Sequence, residues 1–110
     1  QIAWLEDLLV NERSKYRHCV VFSHVNMLRT RRTTSANPMV EEVAFLINLF
    51  TEYNVGLVVN GHDHLQDKTV FGSTTYIILD ALVDSYENAG FMQIKVDNEK
   101  TDTEFFRLSE

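Results

Sequence analysis

Apolar residues recur at helical spacing in two parts of the chain. The first stripe predicts an amphipathic helix over residues 2–13 and consists of Ile2, Leu5, Leu8 and Leu9, with Trp4 beside them. The second predicts a helix that ends near residues 53–54 and consists of Met39, Val43, Leu46, Ile47 and Phe50. Asn37 can cap the amino end of this second helix, and Pro38 suits its first turn. We expect the stripe of the second helix to be buried.

Two continuous apolar runs predict strands that are covered on both faces. They lie at residues 18–23 and 55–60, on either side of the second predicted helix. Residues 25–37 are rich in Arg, Thr, Ser and Asn and are predicted to form a loop. The order strand, helix, strand predicts a βαβ unit, in which the two strands are parallel with a right-handed crossover.

The second half of the chain has the pattern of two hairpins. Residues 69–71 and 74–79 flank Gly72-Ser73, a pair that suits a two-residue turn with glycine first. Residues 91–96 and 103–108 flank a polar turn at residues 97–100. We therefore predict a single α/β domain over residues 1–110, built from a mixed sheet with flanking helices.

Composition excludes several classes of protein. The 110 residues suffice for one small domain, and the net charge of −6 argues against a general nucleic-acid binder. No apolar stretch of the sequence approaches the ~18 residues that a membrane span requires. Cys19 is the only cysteine, so the chain cannot form an internal disulfide, and its apolar surroundings predict a buried reduced thiol.

Histidines follow both predicted parallel strands. His24 comes directly after the first apolar run, and Gly61, His62 and His64 come after the second. Ligands of open α/β sheets gather beyond the carboxyl ends of the strands, and neutral imidazole is the commonest protein ligand for transition metals. We therefore expect the three rings to meet at one rim and to form a metal site. The alternative for a lone histidine such as His24 is a hydrogen-bonded structural residue.

Several neighbouring residues have more than one interpretation. His18 starts the first strand, roughly 20 Å along the chain from His24, and is expected at the surface or an edge. Asp63 either orients the histidine turn or binds the metal, and Asp80 either caps a turn or supports a histidine. A basic loop follows the first strand and contains Arg29, Arg31 and Arg32. This loop either binds phosphate oxygens or is simply solvated.

The motifs resemble those of the calcineurin-like metallophosphoesterases. Residues 61–64 (Gly-His-Asp-His) after an apolar strand look like the last signature of that family, and residues 21–24 (Val-Phe-Ser-His) look like the preceding one. Residues 1–5 (Gln-Ile-Ala-Trp-Leu) resemble the family's Q-x-x-W-L helix, and residues 90–94 resemble its closing strands. The order and spacing of the signatures agree with the family, and the likeness covers most of the chain.

This resemblance implies a hydrolase of phosphate monoesters or diesters that uses two metals, from Mn, Fe or Zn. By position, His24 and His62 would bind one metal and His64 the other. The implied fold is half of the family's α/β sandwich. The metals would hold a water or hydroxide between them and clamp the phosphate oxygens, so that attack is in line with the leaving group.

The sequence also lacks parts of the family pattern. It has no Asp-x-His, no Gly-Asp-x-x-Asp and no Gly-Asn-His followed by an acid, and these would supply the bridging carboxylate and the leaving-group acid. We therefore expect the C-terminal portion of such an enzyme, with no catalytic residue in this chain and no activity when isolated. The rival prediction is a non-catalytic metal-binding or protein-interaction module. A half-fold would expose an apolar sheet face or edge, which predicts a homo-oligomer.

Overall fold

Helices and strands alternate in the first half of the chain, and strands alone follow. The computed structural model describes residues 2–23, 40–61, 67–79 and 90–107. The helices are α1 (Ile2–Glu12), extended by a short 3-10 turn (Arg13–Lys15), and α2 (Val40–Glu52). The strands are β1 (Val20–Ser23), β2 (Leu57–Asn60), β3 (Asp67–Phe71), β4 (Thr74–Ile78), β5 (Gly90–Val96) and β6 (Thr101–Arg107). Among the described helices, none has the length and apolar character needed to cross a membrane.

The described strands form one mixed sheet and one separate hairpin. The mixed sheet has the order β1-β2-β4-β3, in which β1, β2 and β4 run parallel and β3 runs antiparallel to β4. The parallel pairing of β1 with β2 and the β3–β4 hairpin confirm the predictions. The second predicted hairpin is also present, but β5 and β6 form their own two-stranded sheet. The protein therefore has the predicted mixed α/β fold.

Both faces of the mixed sheet are covered. On one face, α1 and α2 pack against the sheet through a core of Leu9, Leu49, Phe50, Val55, Val58 and Tyr76. On the other face, Met92 and Ile94 of β5 pack against Leu57, Val59 and Ile77. Successive side chains of a strand point to opposite faces, so β2 contributes to both cores and is buried throughout, as predicted.

The prediction that β1 is also covered on both faces is wrong. Val21 packs against the helix-side core and Val20 against the opposite one, but Phe22 is 69% exposed. In the described sheet β1 lies at the end of the strand order, whereas β2 has a neighbour on each side. An apolar run predicts a strand, but it does not distinguish a central strand from a peripheral one.

Two backbone features set the entry into β2 and the β3–β4 turn. Asn54 has φ +54° and follows α2, and the N–H of Val55 donates to the carbonyl of Phe50 at 3.0 Å. This is the six-to-one bond of a Schellman motif, which stops the helix and directs the chain into the sheet. Gly72 has φ +63°, and a Cβ there would lie 3.2 Å from Thr51 Cγ2. Glycine is therefore suited to this turn on both counts.

Candidate functional site at the carboxyl edge of the sheet

Three parallel strands end at the same edge of the mixed sheet. Ser23 of β1 pairs with Asn60 of β2, and Asn60 pairs with Ile78 of β4. The antiparallel β3 begins there as well, because Asp67 pairs with Ile78. We call this row of Ser23, Asn60, Ile78 and Asp67 the carboxyl edge. It is the position at which α/β sheets hold their ligands.

The predicted metal ligands follow this edge in the sequence but lie outside the described residues. His24 is the residue after Ser23, whereas His62 and His64 come two and four residues after Asn60. Asp63, Asp80 and the predicted arginine loop also fall outside the described ranges. Within residues 2–23, 40–61, 67–79 and 90–107, no group of three or more His, Cys, Asp or Glu side chains is placed to hold a metal ion. The structure does bring together Ser23 and Asn60, the strand ends that precede the histidines in the sequence.

Asn60 is the functional candidate at the carboxyl edge that the sequence patterns did not single out. Its side chain is buried, with 3% of its surface exposed, and its Nδ2 donates to the backbone carbonyl of Ser23 at 3.1 Å. Its Oδ1 is also buried and has no hydrogen-bond partner among the described residues. The signal in the sequence was a polar residue at the end of an otherwise apolar strand, directly before the histidine motif.

His18 lies at the opposite end of β1, as predicted. Its Nε2 donates to the backbone carbonyl of Asp97, and its Nδ1 lies 3.4 Å from the Thr101 hydroxyl. A carbonyl only accepts, so Nε2 carries a proton in this contact. Arg17 Nη1 also donates to the carbonyl of Asn98 at 2.9 Å. These contacts attach the β5–β6 turn to the segment before β1, which is a structural role.

The turn that His18 contacts is organised by the Asp97 carboxylate. Asp97 Oδ1 accepts hydrogen bonds from the backbone N–H groups of Glu99 and Lys100, at 2.7 and 2.8 Å. These backbone bonds lower the pKa of Asp97 below its usual value, and the nearby positive charge of Lys100 adds to the effect. The exposed carboxylate therefore stabilises the turn, far from the carboxyl edge.

Two cavities in the described part of the chain also lie away from the carboxyl edge. One of about 290 Å³ sits where α1 and α2 end, and one of about 160 Å³ sits beneath α1 near the start of β1. The smaller one is lined in part by Cys19 and His18. The Cys19 thiol is only half-buried, and burial raises its pKa although the Arg13 guanidinium opposes the shift. A thiol with a raised pKa is a poor nucleophile at neutral pH, so Cys19 is not an activated cysteine.

Comparisons of the sequence with models of protein families and with curated proteins find no match. The assignment of a function therefore depends on the motifs and on the geometry of the carboxyl edge.

Proposed function

We propose that this chain carries the histidine part of the binuclear metal centre of a calcineurin-like metallophosphoesterase. The reaction would be the hydrolysis of phosphate monoesters or diesters, with carboxylate ligands supplied from outside these 110 residues. The observation that supports the proposal best is the register Ser23 to Asn60 between the parallel strands β1 and β2. It brings the two positions that precede the histidine motifs next to each other.

Covalent geometry makes this register informative. Neighbouring strands lie about 4.8 Å apart, and consecutive Cα atoms are about 3.8 Å apart. His24 is one residue beyond Ser23, and His62 is two residues beyond Asn60. The Cα atoms of His24 and His62 therefore lie within about 8 Å of the carboxyl edge, and that of His64, four residues beyond Asn60, within about 15 Å. Had β1 and β2 been antiparallel, their histidines would have followed opposite edges of the sheet.

The donor set suits a transition metal. Imidazole nitrogen binds Zn and Fe well, and Mn binds at sites with both nitrogen and oxygen ligands. His24, His62 and His64 are therefore the residues that would hold the metals. A bound metal pair would lower the pKa of water and clamp phosphate oxygens. The residues of this chain would orient the metals. Asn60 Oδ1, which has no hydrogen-bond partner among the described residues, is an available acceptor at the carboxyl edge.

The same donor set predicts that the isolated chain is inactive. Two divalent cations held close together repel strongly, and three neutral imidazoles bring no negative charge to offset this repulsion. We expect loose binding of one metal at most, and hydrolysis of p-nitrophenyl phosphate no faster than in buffer. Turnover by the purified chain that disappears in His62→Ala would contradict this prediction.

Metal binding tests the proposed ligands directly. We expect calorimetric titration with Zn²⁺ to detect at most one weak site, and His24→Ala and His62→Ala to abolish it. His18→Gln is the matched control, because this histidine lies at the other end of β1. Binding that survives His62→Ala but is lost in His18→Gln would refute the proposed site. A longer parent sequence with Asp-x-His and Gly-Asp-x-x-Asp ahead of Gln1 would support the enzyme.

An aromatic pair with one exposed ring favours the rival function, a non-catalytic interaction module. Phe91 of β5 is 55% exposed and stacks on Phe106 of β6, with ring centroids 5.1 Å apart. The two residues are cross-strand partners on the face of the hairpin that points away from the mixed sheet. Exposed aromatic groups are common in protein interfaces. A longer parent sequence that lacks Asp-x-His and Gly-Asp-x-x-Asp would favour the interaction module over the enzyme.

A further inference from the structure

The outer side of β1 has backbone groups that lack a partner in the described part of the chain. The carbonyl of Cys19 accepts a backbone hydrogen bond at 3.1 Å from the residue before β2, and that of Ser23 accepts one from the Asn60 side chain, so both carbonyls point toward β2. Backbone groups alternate in direction along a strand, so those of Val20 and Phe22 point away from β2. Neither residue has a backbone partner on that side among the described residues. Their N–H groups and carbonyls are therefore a template for a further strand.

The composition of β1 differs from that of the other peripheral strands. Native proteins discourage pairing at sheet edges with charged side chains, above all lysine, and with proline. The other described strands that have a single neighbour all carry charge: β3 contains Lys68, β5 contains Lys95, and β6 contains Asp102 and Glu104. The sequence of β1 is Val-Val-Phe-Ser, without a charge, and its Phe22 is 69% exposed. Among the described edges, β1 is therefore the one suited to pairing with another strand.

We propose that β1 pairs in the antiparallel direction with β1 of a second copy of this chain, about a two-fold axis at Val21. In this register Val20 lies opposite Phe22 of the second copy, Cys19 lies opposite its Ser23, and Val21 lies opposite itself. Facing residues then share a face of the joined sheet, because Cys19 and Val21 lie on the helix side, whereas Val20 and the alternate Phe22 lie on the other. The outward N–H groups and carbonyls of the two copies bond to one another, so none of them stays unpaired.

Two identical β1 strands suit each other because neither brings a charge to the contact. In a two-fold pair a residue at the axis faces its own copy, and like charges directly opposite each other are destabilising. Phe22, which is exposed in the single chain, packs on Val20 of the second copy, and aromatic side chains opposite β-branched ones stabilise a sheet. So short a strand pair is small beside standard interfaces of about 1,200–2,000 Å². We therefore expect a weak dimer that forms as the concentration rises, independently of any metal.

Ser23→Cys tests this register with the cysteine that the chain already has. Positions 19 and 23 of one chain lie about 13 Å apart along the strand, which is too far for a disulfide. In the proposed pair, Cys19 lies opposite position 23 of the second copy at a site without hydrogen bonds, where the Cα atoms are about 4.5 Å apart and a disulfide can form. We expect mild oxidation to convert Ser23→Cys into a covalent dimer on non-reducing electrophoresis, and to leave the unchanged chain without one.

Two further variants are the matched controls. Ser23→Cys combined with Cys19→Ser should give no covalent dimer, because position 23 of one copy lies about 13 Å from position 23 of the other. Lys68→Cys should give none either, since β3 lies at the other end of the strand order. No covalent dimer from Ser23→Cys, or as much from either control, would overturn the inference.

Amide hydrogen exchange of the unchanged chain gives a second measurement that needs no variant. The N–H groups of Val20 and Phe22 should exchange rapidly in dilute solution and become protected about tenfold or more as the dimer forms. The N–H of Val21 faces β2 and should be protected at every concentration. Protection of Val20 and Phe22 that does not depend on concentration would show that another segment of the chain covers β1, and would refute the pairing. A dimer with both amides unprotected, or a monomer up to about 1 mM, would refute it as well.

Discussion

At the scale of single residues, two buried polar atoms without described partners lie in different parts of the fold. Tyr76 is 1% exposed, and its hydroxyl has no hydrogen-bond partner among the described residues. Burial raises the pKa of Tyr76 to about 12, because the phenolate would lie in the helix-side core. Asn60 Oδ1 also lacks a described partner, but it lies at the carboxyl edge, two residues before His62 in the sequence. The two residues are buried to a similar extent, so only its place at the carboxyl edge makes Asn60 a functional candidate.

Tyr76→Phe should be neutral or stabilising, by up to about 1 kcal/mol, because it removes a buried hydroxyl that has lost its hydrogen bonds to water. The check is the free energy of unfolding in urea at pH 7. A loss of more than about 1 kcal/mol would show that the hydroxyl has a partner.

Alkaline pH gives a second measurement on the same residue. The folded-state pKa of Tyr76 is about 12, whereas an unperturbed tyrosine has a pKa of about 10, so above pH 10 the unfolded chain binds fewer protons than the folded one. The stability of the unchanged protein should therefore fall between about pH 10 and 12. Tyr76→Phe should lose less over this range, and identical pH profiles would contradict the prediction.

At the scale of elements, Arg13 joins the end of α1 to the turn that follows α2. Its Nη1 donates to the Tyr16 carbonyl at 2.5 Å, and its Nη2 donates to the Asn54 carbonyl at 2.9 Å. Both helices end in this region and leave carbonyl groups unpaired, which a cation can satisfy. The contact fixes how the two helices lie on the same face of the sheet.

Arg13→Ala should lower the free energy of unfolding by about 0.5–1.5 kcal/mol, since its hydrogen bonds are lost while the exposed carbonyls can pair with water instead. The matched control is Lys15→Ala, which removes an exposed ion pair to Glu12 at 2.8 Å. Exposed ion pairs contribute little to stability, so the free energy of unfolding of Lys15→Ala should fall by less than about 0.5 kcal/mol. Equal losses in urea unfolding would refute the role of Arg13.

At the scale of the whole molecule, exposed apolar side chains predict self-association. Phe22 projects from β1 at the end of the described sheet and is 69% exposed. Phe91, which stacks on the half-buried Phe106, gives a second exposed apolar area on the outer face of the β5–β6 hairpin. Exposed apolar patches and sheet edges favour association between chains. The predicted homo-oligomer is consistent with these surfaces and awaits measurement.

Sedimentation velocity provides that measurement. We expect a dimer or a higher oligomer for the unchanged chain. Phe22→Lys should shift the equilibrium toward the monomer, because burying the lysine charge in an interface between chains is unfavourable. Trp4→Lys is the control, since Trp4 is 66% exposed on α1, away from the sheet edge. A monodisperse monomer of the unchanged chain would contradict the prediction.

The sequence by itself determined the local elements and the order of the βαβ unit. Helical spacing predicted α1 and α2, alternation with turn residues predicted both hairpins, and the helix between two apolar runs predicted that β1 and β2 are parallel. These features depend on neighbours along the chain or on the short list of allowed connections, so they can be read from pattern. The histidine positions 24, 62 and 64 remain predictions from sequence.

Only the tertiary structure decided which surfaces are buried and which distant residues meet. It placed β1 at the end of the described sheet with Phe22 exposed, and it packed β5 onto the sheet face rather than against its edge. It also joined Asn60 to Ser23, 37 residues apart. These outcomes depend on the pairing of segments far apart in the chain, and several pairings satisfy the same local pattern of apolar and polar residues.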